Sequence, residues 1–354
     1  MQKNCKTGVF VVITGLFIIL LLVLVLPFAV HAVEKELEIF LFIMGALAVT
    51  VTSQWSLILI GEAFLDPIKI TAAVLAAGLL FRMLKSSIDG HVNNILKATG
   101  VRWFVFFVVV LLGLFSSVIT AIIAALVLVE IVGHLKLDKK NEILMVVFSC
   151  FSIGMGAALT PIGEPLGAIA TAKLSGAPHF AGFWFLFKNL WAYIIPGILI
   201  TGIAAALLVK KGSHAEGLKE KEDEKISGIF IRTGKVYVFV MALVLLGAGF
   251  KPIIDGYISK IPFYALYWMN IISAALDNAT LTAAEVGPRM DLTQIKSALM
   301  GLIIAGGLLI PGNIPNIIAA NKLKIKSSEW AKAGVLFGLS LMVFYFVIIL
   351  VFSK

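Results

Sequence analysis

Long stretches almost free of charged residues are the feature that most constrains this chain. They are residues 8–30, 38–61, 103–129, 189–209, 236–250 and 333–352, with Glu38 as the one charged residue among them. Most approach or exceed the ~20 residues that a helix needs to cross a bilayer. The sequence therefore predicts an all-α polytopic membrane protein that lies in the plasma (inner) membrane.

Several other classes of protein are disfavoured by what the sequence lacks. There is no Walker motif, and no span holds paired His, paired Cys or a His–carboxylate motif for a resident metal. We therefore expect neither an enzyme nor a cofactor. The formal net charge of +9 lies mainly in short loops, which is typical of a topology signal rather than of nucleic-acid binding.

The first apolar stretch allows two interpretations. Lys3 and Lys6 precede residues 8–30, and the small residues of AVHA follow them, which is also the pattern of a signal peptide. The apolar run is longer than a usual signal core, so we expect a retained span. After the stretch at 38–61 we expect another span at 68–84 and an interfacial amphipathic helix over SSIDGHVNNILKATG, residues 86–100.

The same order of apolar runs and polar breaks occurs on both sides of a polar linker at 210–232. In the first half, 1–209, SSVIT breaks the apolar run 103–134 and TPIGEP breaks the run 143–175. Both breaks place polar residues, and the second also places prolines, inside segments that are otherwise membrane-like. Such interruptions predict a discontinuous helix, because proline removes a donor from the helical ladder.

The second half, 233–354, shows the same order of breaks. LDNAT interrupts the run 263–290, and PGNIPN interrupts the run 297–321 with two prolines again four residues apart. Repeats in transporters are commonly inverted, with sites where interrupted helices meet near mid-membrane. We therefore predict two inverted repeats, each with a re-entrant hairpin (103–134 and 263–290) and a discontinuous transmembrane helix.

Loop charge suggests how such repeats are oriented. If GHLKLDKKNE is cytoplasmic, the linker and NKLKIKSSEWAK fall on the same side, which then collects most of the Lys and Arg residues. This topology requires the two hairpins to enter from opposite faces. It leaves both termini outside.

Two carboxylates lie within the breaks, Glu164 and Asp277, and no Lys, Arg or His accompanies them there. A charge at mid-membrane costs roughly 2.5–3.5 kcal/mol on insertion scales, so it commonly has a function or a partner. The combination favours a cation or proton site. The alternative is that either carboxylate caps a half-helix and faces water. Glu130 and Glu285, a few turns beyond the hairpin tips, are secondary candidates.

At these breaks the sequence resembles the ion transporter superfamily, which includes NhaD-type sodium/proton antiporters, arsenite carriers of the ArsB type and dicarboxylate carriers. SAALDNATLTAA is similar to its Asp-Asn-x-x-x-Thr-Ala segment, TPIGEP to its Thr-Pro-x-Gly-Asn-Pro segment, and GNIPN to the second-half counterpart. The pattern also resembles predicted cation transporters of archaea and bacteria. Glu164 stands where that superfamily usually has Asn, and Val118 stands at the position matching Asn278.

The resemblance implies two half-sites for an ion. One would combine Ser116, Ser117 and Thr120 with Thr160, Gly163 and Glu164. The other would combine Asp277, Asn278 and Thr280 with Gly312, Asn313 and Asn316. Members of the superfamily are often dimers, so the resemblance also implies a homodimer in the lipid bilayer.

The sequence therefore predicts a secondary active transporter of monovalent cations, most simply a sodium/proton antiporter. Asp277 and Glu164 would couple the proton to the cation, and sodium would be the transported or coupling ion. The alternative is a sodium-coupled carrier of a small organic or inorganic anion, held at the N-termini of half-helices.

Overall fold

The regular secondary structure of the described chain is helical. The computed structural model describes residues 2–30, 32–33, 36–135, 137–210, 226–257 and 261–352. Within them, five segments are long and apolar enough to cross a bilayer: Thr99–Ile119, Lys139–Ala157, Phe185–Leu208, Ser227–Phe250 and Ser327–Phe352. The prediction of an all-α polytopic membrane protein is confirmed. Most of the predicted linker, 211–225, lies outside the described residues.

The helices of the first half are α1 Gln2–Ala29, α2 Leu37–Val51, α3 Leu57–Ile119, α4 Ala121–His134, α5 Lys139–Ala157, α6 Pro165–Lys173 and α7 Phe185–Leu208. Those of the second half are α8 Ile226–Tyr257, α9 Phe263–Met269, α10 Asn278–Glu285, α11 Leu292–Ala305, α12 Ile314–Leu323 and α13 Ser327–Phe352. Short 3-10 turns occupy Asn270–Ala274 and Ile310–Gly312. A kink at Gly100, where φ is 71°, divides α3.

The predicted span at 38–61 is wrong, because α2 ends at Val51 and α3 begins at Leu57. Between them Ser53 has a φ of 54°, which a continuing helix does not allow. The Ser56 side chain accepts a hydrogen bond from Leu59 N at 3.1 Å and so caps the new helix. No glycine or proline marks this turn in the sequence.

The predicted interfacial helix at 86–100 is not a separate element. It is the continuation of α3, which runs without another non-helical residue from Leu57 to the kink at Gly100. The side chains of residues 80–98 lie outside the described part of the chain.

Helix α5 is the centre of the first half. All but one of its residues from Asn141 to Ala157 are buried. Ser152 Oγ donates to Val109 O of α3 at 2.8 Å, and Phe148 and Phe151 pack edge-on against Phe337 of α13 at 4.5 and 5.2 Å between ring centroids. Small and aromatic side chains thus pack α5 against helices of both halves.

Helices α2 and α8 run parallel to each other. Lys235 of α8 pairs with Glu36 and Glu38 at the start of α2, at 3.2 and 3.5 Å. Gly249, further along α8, packs against Ala48, further along α2. Glu38 also links this pair to α12, because Asn321 Nδ2 donates to Glu38 Oε1 at 3.1 Å.

Charged residues from several helices meet at one end of the molecule, which we call the linker end. It is defined by Glu36, Glu130, Lys139, Lys235, Lys322 and Glu329. Lys139 at the start of α5 pairs with Glu329 at the start of α13. Lys210, where the linker leaves α7, donates through its backbone N to Asn141 Oδ1 at 2.8 Å. The basic loops around 133–142, 210 and 321–332 therefore lie together.

The opposite end, called the far end, joins the two halves through loops. Lys173 Nζ donates to Ala283 O, and His179 Nε2 lies 2.9 Å from Met290 O. Helix α7 leads from this region at Phe185 to Leu208 at the linker end, and its 24 residues span about 36 Å. The two ends are thus separated by roughly the thickness of a bilayer.

Candidate functional site

Four helices of the described chain, α4, α6, α10 and α12, begin near the middle of the molecule. First-turn residues Ala121, Pro165 and Ile314 line one cavity. Pro165, Ile314 and Ala279 line a second one. The positive ends of these helix dipoles therefore converge on one region.

The local sequence explains why α6 and α12 begin where they do. Pro165 and Pro315 lie in the first turn of each helix, where a missing N–H costs no helical bond and the fixed φ favours a helix start. Glu164 and Asn313, the residues just before α6 and α12, have extended backbone, and neither side chain caps its own helix. Both side chains are therefore left for other contacts.

In the first half, the non-helical break contains fewer residues than the SSVIT motif predicts. Ser116 and Ser117 remain helical, and α3 ends at Ile119. Thr120 has a φ of 76°, an uncommon conformation for a β-branched residue. It is held because Ala121 N donates to Gly163 O at 2.8 Å. The two breaks of the first half are thus joined directly through the backbone.

The hydroxyl groups predicted for the first half-site mainly bond to backbone. Ser116 Oγ donates to Gly113 O at 2.6 Å and lies 2.9 Å from Ile153 O. Ser117 Oγ lies 2.8 Å from Leu114 O. Thr160 Oγ1 donates to Ser117 O and lies 3.3 Å from Gly163 N, which donates to it. These hydrogen bonds fix the backbone around the break, and the donating hydroxyl oxygens keep lone pairs that can bind a cation.

In the second half, Asn316 holds the open backbone of the other break. Its Nδ2 donates to Gly306 O at 2.8 Å and to Leu309 O at 3.0 Å, while its Oδ1 has no hydrogen-bond partner. Gly312 packs so closely that a Cβ there would lie 2.6 Å from both Gly306 O and Ser273 O. A glycine is required at this position by contact distance alone.

The two predicted half-sites form one cluster, because Glu164 of the first half reaches residues of the second. Glu164 lies near enough to Asp277 for their charges to interact, and beside the amides of Asn278 and Asn313. All four are buried, with at most 5% of each residue exposed. Glu164 Oε1 and Asn278 Nδ2 complete no hydrogen bond. We call these four residues the central cluster.

Two cavities adjoin the central cluster. The smaller, about 180 Å³, is lined by Glu164, Asn313 and Thr120. The larger, about 510 Å³, is lined by Asp277 and reaches Gln54 and Glu62 near the α2–α3 turn. Pro165 and Ile314 line both and form the wall between them. The two carboxylates thus face different cavities.

Most predicted site residues lie at this junction, with different roles. Thr120, Gly163, Glu164, Asp277 and Asn313 line a cavity. Thr280 lies on α10, and its side chain is outside the described part. Sequence reasoning missed the contact between Glu164 and the second-half asparagines. The signal for this contact in the sequence was Glu164 itself, a carboxylate at the position where the resemblance expects Asn.

Fold and site together define an all-helical, membrane-embedded protein with a buried acidic cluster where interrupted helices meet. The chain belongs to the family described as "Protein of unknown function (DUF1646)", whose sequence profile matches residues 13–352. No curated protein matches the chain.

Proposed function

We propose that the protein is a secondary active transporter of monovalent cations, and that it exchanges sodium for protons in the plasma (inner) membrane. The observation that carries the proposal is the convergence of Glu164 and Asp277 in one buried cluster. Among the described residues, Asp277 is close enough to repel the negative charge of the Glu164 carboxylate, and no basic side chain lies close enough to attract it. Two like charges in a buried place favour a bound cation or proton.

The same two carboxylates provide a way to couple the ions. A proton or a sodium ion can relieve their repulsion, and either one reduces the need for the other. The amide groups of Asn278 and Asn313 lie beside Glu164, and the Oδ1 atom of Asn316 is buried without a hydrogen-bond partner. Such oxygens, with carbonyls freed by unwound helices, are suitable sodium ligands.

The direction of the half-helices supports inverted repeats. Helix α6 runs from the central cluster to Lys173 at the far end, whereas α12 runs from it to Lys322 at the linker end. Helix α4 returns from Thr120 towards the linker end, and α10 leads from Asn278 towards the far end. These courses support the prediction of two re-entrant hairpins that enter from opposite faces. The cavities on either side of the Pro165–Ile314 wall support alternating access.

The proposal is tested with purified protein in liposomes that contain a pH-sensitive dye. A pulse of sodium, lithium or potassium should move protons in the wild type, because a cation displaces the proton from the cluster. Asp277→Asn and Glu164→Gln should each abolish this movement. Glu36→Gln, which alters a carboxylate at the linker end, should retain it.

Two results would contradict the proposal. If folded wild-type protein moves no protons with any of the three cations, antiport is wrong. If Asp277→Asn and Glu164→Gln transport as Glu36→Gln does, the central cluster is not the site.

The second candidate is a sodium-coupled carrier of a small anion, favoured by the four helix N-termini at the site. Against it, Glu164 and Asp277 already place negative charge at the starts of α6 and α10. Sodium-dependent uptake of an anion in the same liposomes, without proton movement, would select this alternative.

A further inference from the structure

Another buried carboxyl group lies away from the central cluster, at the end of α10. Glu285 is 8% exposed, and its Oε2 atom has no hydrogen-bond partner. It lies seven positions after Asn278 along the helix, which corresponds to about 10 Å. Exposed Pro288 and Arg289 follow it. Glu285 therefore lies between the cluster and the surface at the far end.

The neighbour of Glu285 is a buried asparagine. The Asn270 amide lies beside the Glu285 carboxyl group, and Asn270 is fully buried. Its Nδ2 donates to Ala298 O at 2.9 Å, which fixes the orientation of the amide. Its Oδ1 has no hydrogen-bond partner. Two acceptor oxygens on adjacent side chains thus lack a donor.

The charged groups around α10 do not supply that donor. Lys173 on α6 bonds to Ala283 O, and Lys235 on α8 pairs with Glu36 and Glu38. Lys296, the basic residue within α11, forms no ion pair with Glu285 among the described residues. Glu164 and Asp277 lie at the opposite end of α10.

We propose that Glu285 is a second proton-carrying site, formed with Asn270 and separate from the central cluster. A proton on the carboxyl group turns the unpartnered Oε2 atom into a donor, and the neighbouring Asn270 side chain carries an unpartnered acceptor, its Oδ1 atom. A metal cation would require several more oxygen ligands than these two. In transport, Glu285 relays protons between the central cluster and the far end. That role depends on the proposed antiport, whereas the protonation itself does not.

Infrared difference spectroscopy on the full chain in liposomes at neutral pH tests the protonation. The wild type minus Glu285→Gln spectrum should contain the carbonyl stretch of a protonated carboxyl group, shifted in D₂O. The matched control Glu329→Gln, which removes a carboxylate paired with Lys139 at the linker end, should remove only bands of an ionised carboxylate. If Glu285→Gln also removes only those bands, the proposal is wrong. Should Glu285→Gln fail to fold, Glu285→Asp provides the same test, because the protonated band should then change in frequency.

The relay is tested in the dye-filled liposomes. Glu285→Gln should slow sodium-driven proton movement at least about tenfold, while sodium binding to the central cluster, measured by calorimetry, stays within about twofold of wild type. Unchanged proton movement would overturn the relay. If the wild type moves no protons at all, antiport and the relay both fail, and the infrared result still decides whether Glu285 is protonated.

Discussion

Asn316 shows how one side chain can serve both structure and chemistry. Its nitrogen bonds to Gly306 O and Leu309 O, two carbonyls in the break before α12. These carbonyls would otherwise lack this donor in a fully buried place, which is costly where water is excluded. Its oxygen has no partner. The amide therefore stabilises the open backbone while presenting an acceptor.

We predict that Asn316→Ala destabilises the protein by about 1–3 kcal/mol, the usual cost of a buried polar group that loses its partner. The measurement is unfolding in detergent, followed by circular dichroism. Asn189→Ala is the control, because the hydrogen bond of the Asn189 side chain among the described residues goes to Phe185 O of its own helix. It should change stability by no more than about 0.5 kcal/mol. Equal effects of the two substitutions would contradict a special role for Asn316.

Helices α4 and α12 are held together at two places along their length. Near the central cluster, Ala125 and Leu126 of α4 pack with Ile314 and Ile318 of α12. At the linker end, Lys322 Nζ lies 3.3 Å from Glu130 Oε2, with 9% and 8% of the two side chains exposed. The hairpin arm and the half-helix should therefore move as one unit.

We predict that Lys322→Met destabilises the protein by about 3–5 kcal/mol, because it removes one partner of a buried ion pair. Lys139→Met, which removes a more exposed pair with Glu329, should cost about 0–1 kcal/mol. The Glu130→Gln/Lys322→Met double variant should recover part of the loss. A double variant less stable than Lys322→Met would show that the pair is not the cause. Thermal unfolding in detergent measures all four proteins.

The sequence predicts the starts of half-helices better than it predicts their contacts. Pro165 and Pro315 mark α6 and α12 because proline favours the first helical turn. The turn at Ser53 leaves no such mark, since a serine takes the conformation that glycine usually provides. The pairing of Glu164 with Asn278 and Asn313 depends on how the halves pack, which local patterns do not encode. The same holds for Asn270 and Glu285.

At the scale of the whole molecule, the Pro165–Ile314 wall separates two cavities that end at different carboxylates. The smaller cavity lies against the first break, and the larger one extends to the α2–α3 turn. If the carrier alternates, one cavity should become more accessible as the other becomes less so.

We predict that sodium changes the reaction of a water-soluble thiol reagent in opposite directions at two positions. They are Ala168→Cys in the smaller cavity and Ala283→Cys in the larger one, each in a background with Cys5→Ser and Cys150→Ala. Ser328→Cys, at an exposed position in the first turn of α13 at the linker end, controls for general effects on labelling. Changes in the same direction at both positions would contradict alternating access.

The short half-helices also have an electrical consequence. Helix α6 has 9 residues and α12 has 10, so they extend about 14 and 15 Å from the central cluster to opposite ends. A cation in the cluster thus lies about halfway across the ~30 Å hydrocarbon layer. If the voltage drops evenly across the membrane, the cation crosses half of the electric field to reach the cluster. A potential of 100 mV supplies about 2.3 kcal/mol per charge over the whole field, so half of the field contributes about 1.2 kcal/mol. Membrane potential alone would then change the affinity for sodium from one side about sevenfold.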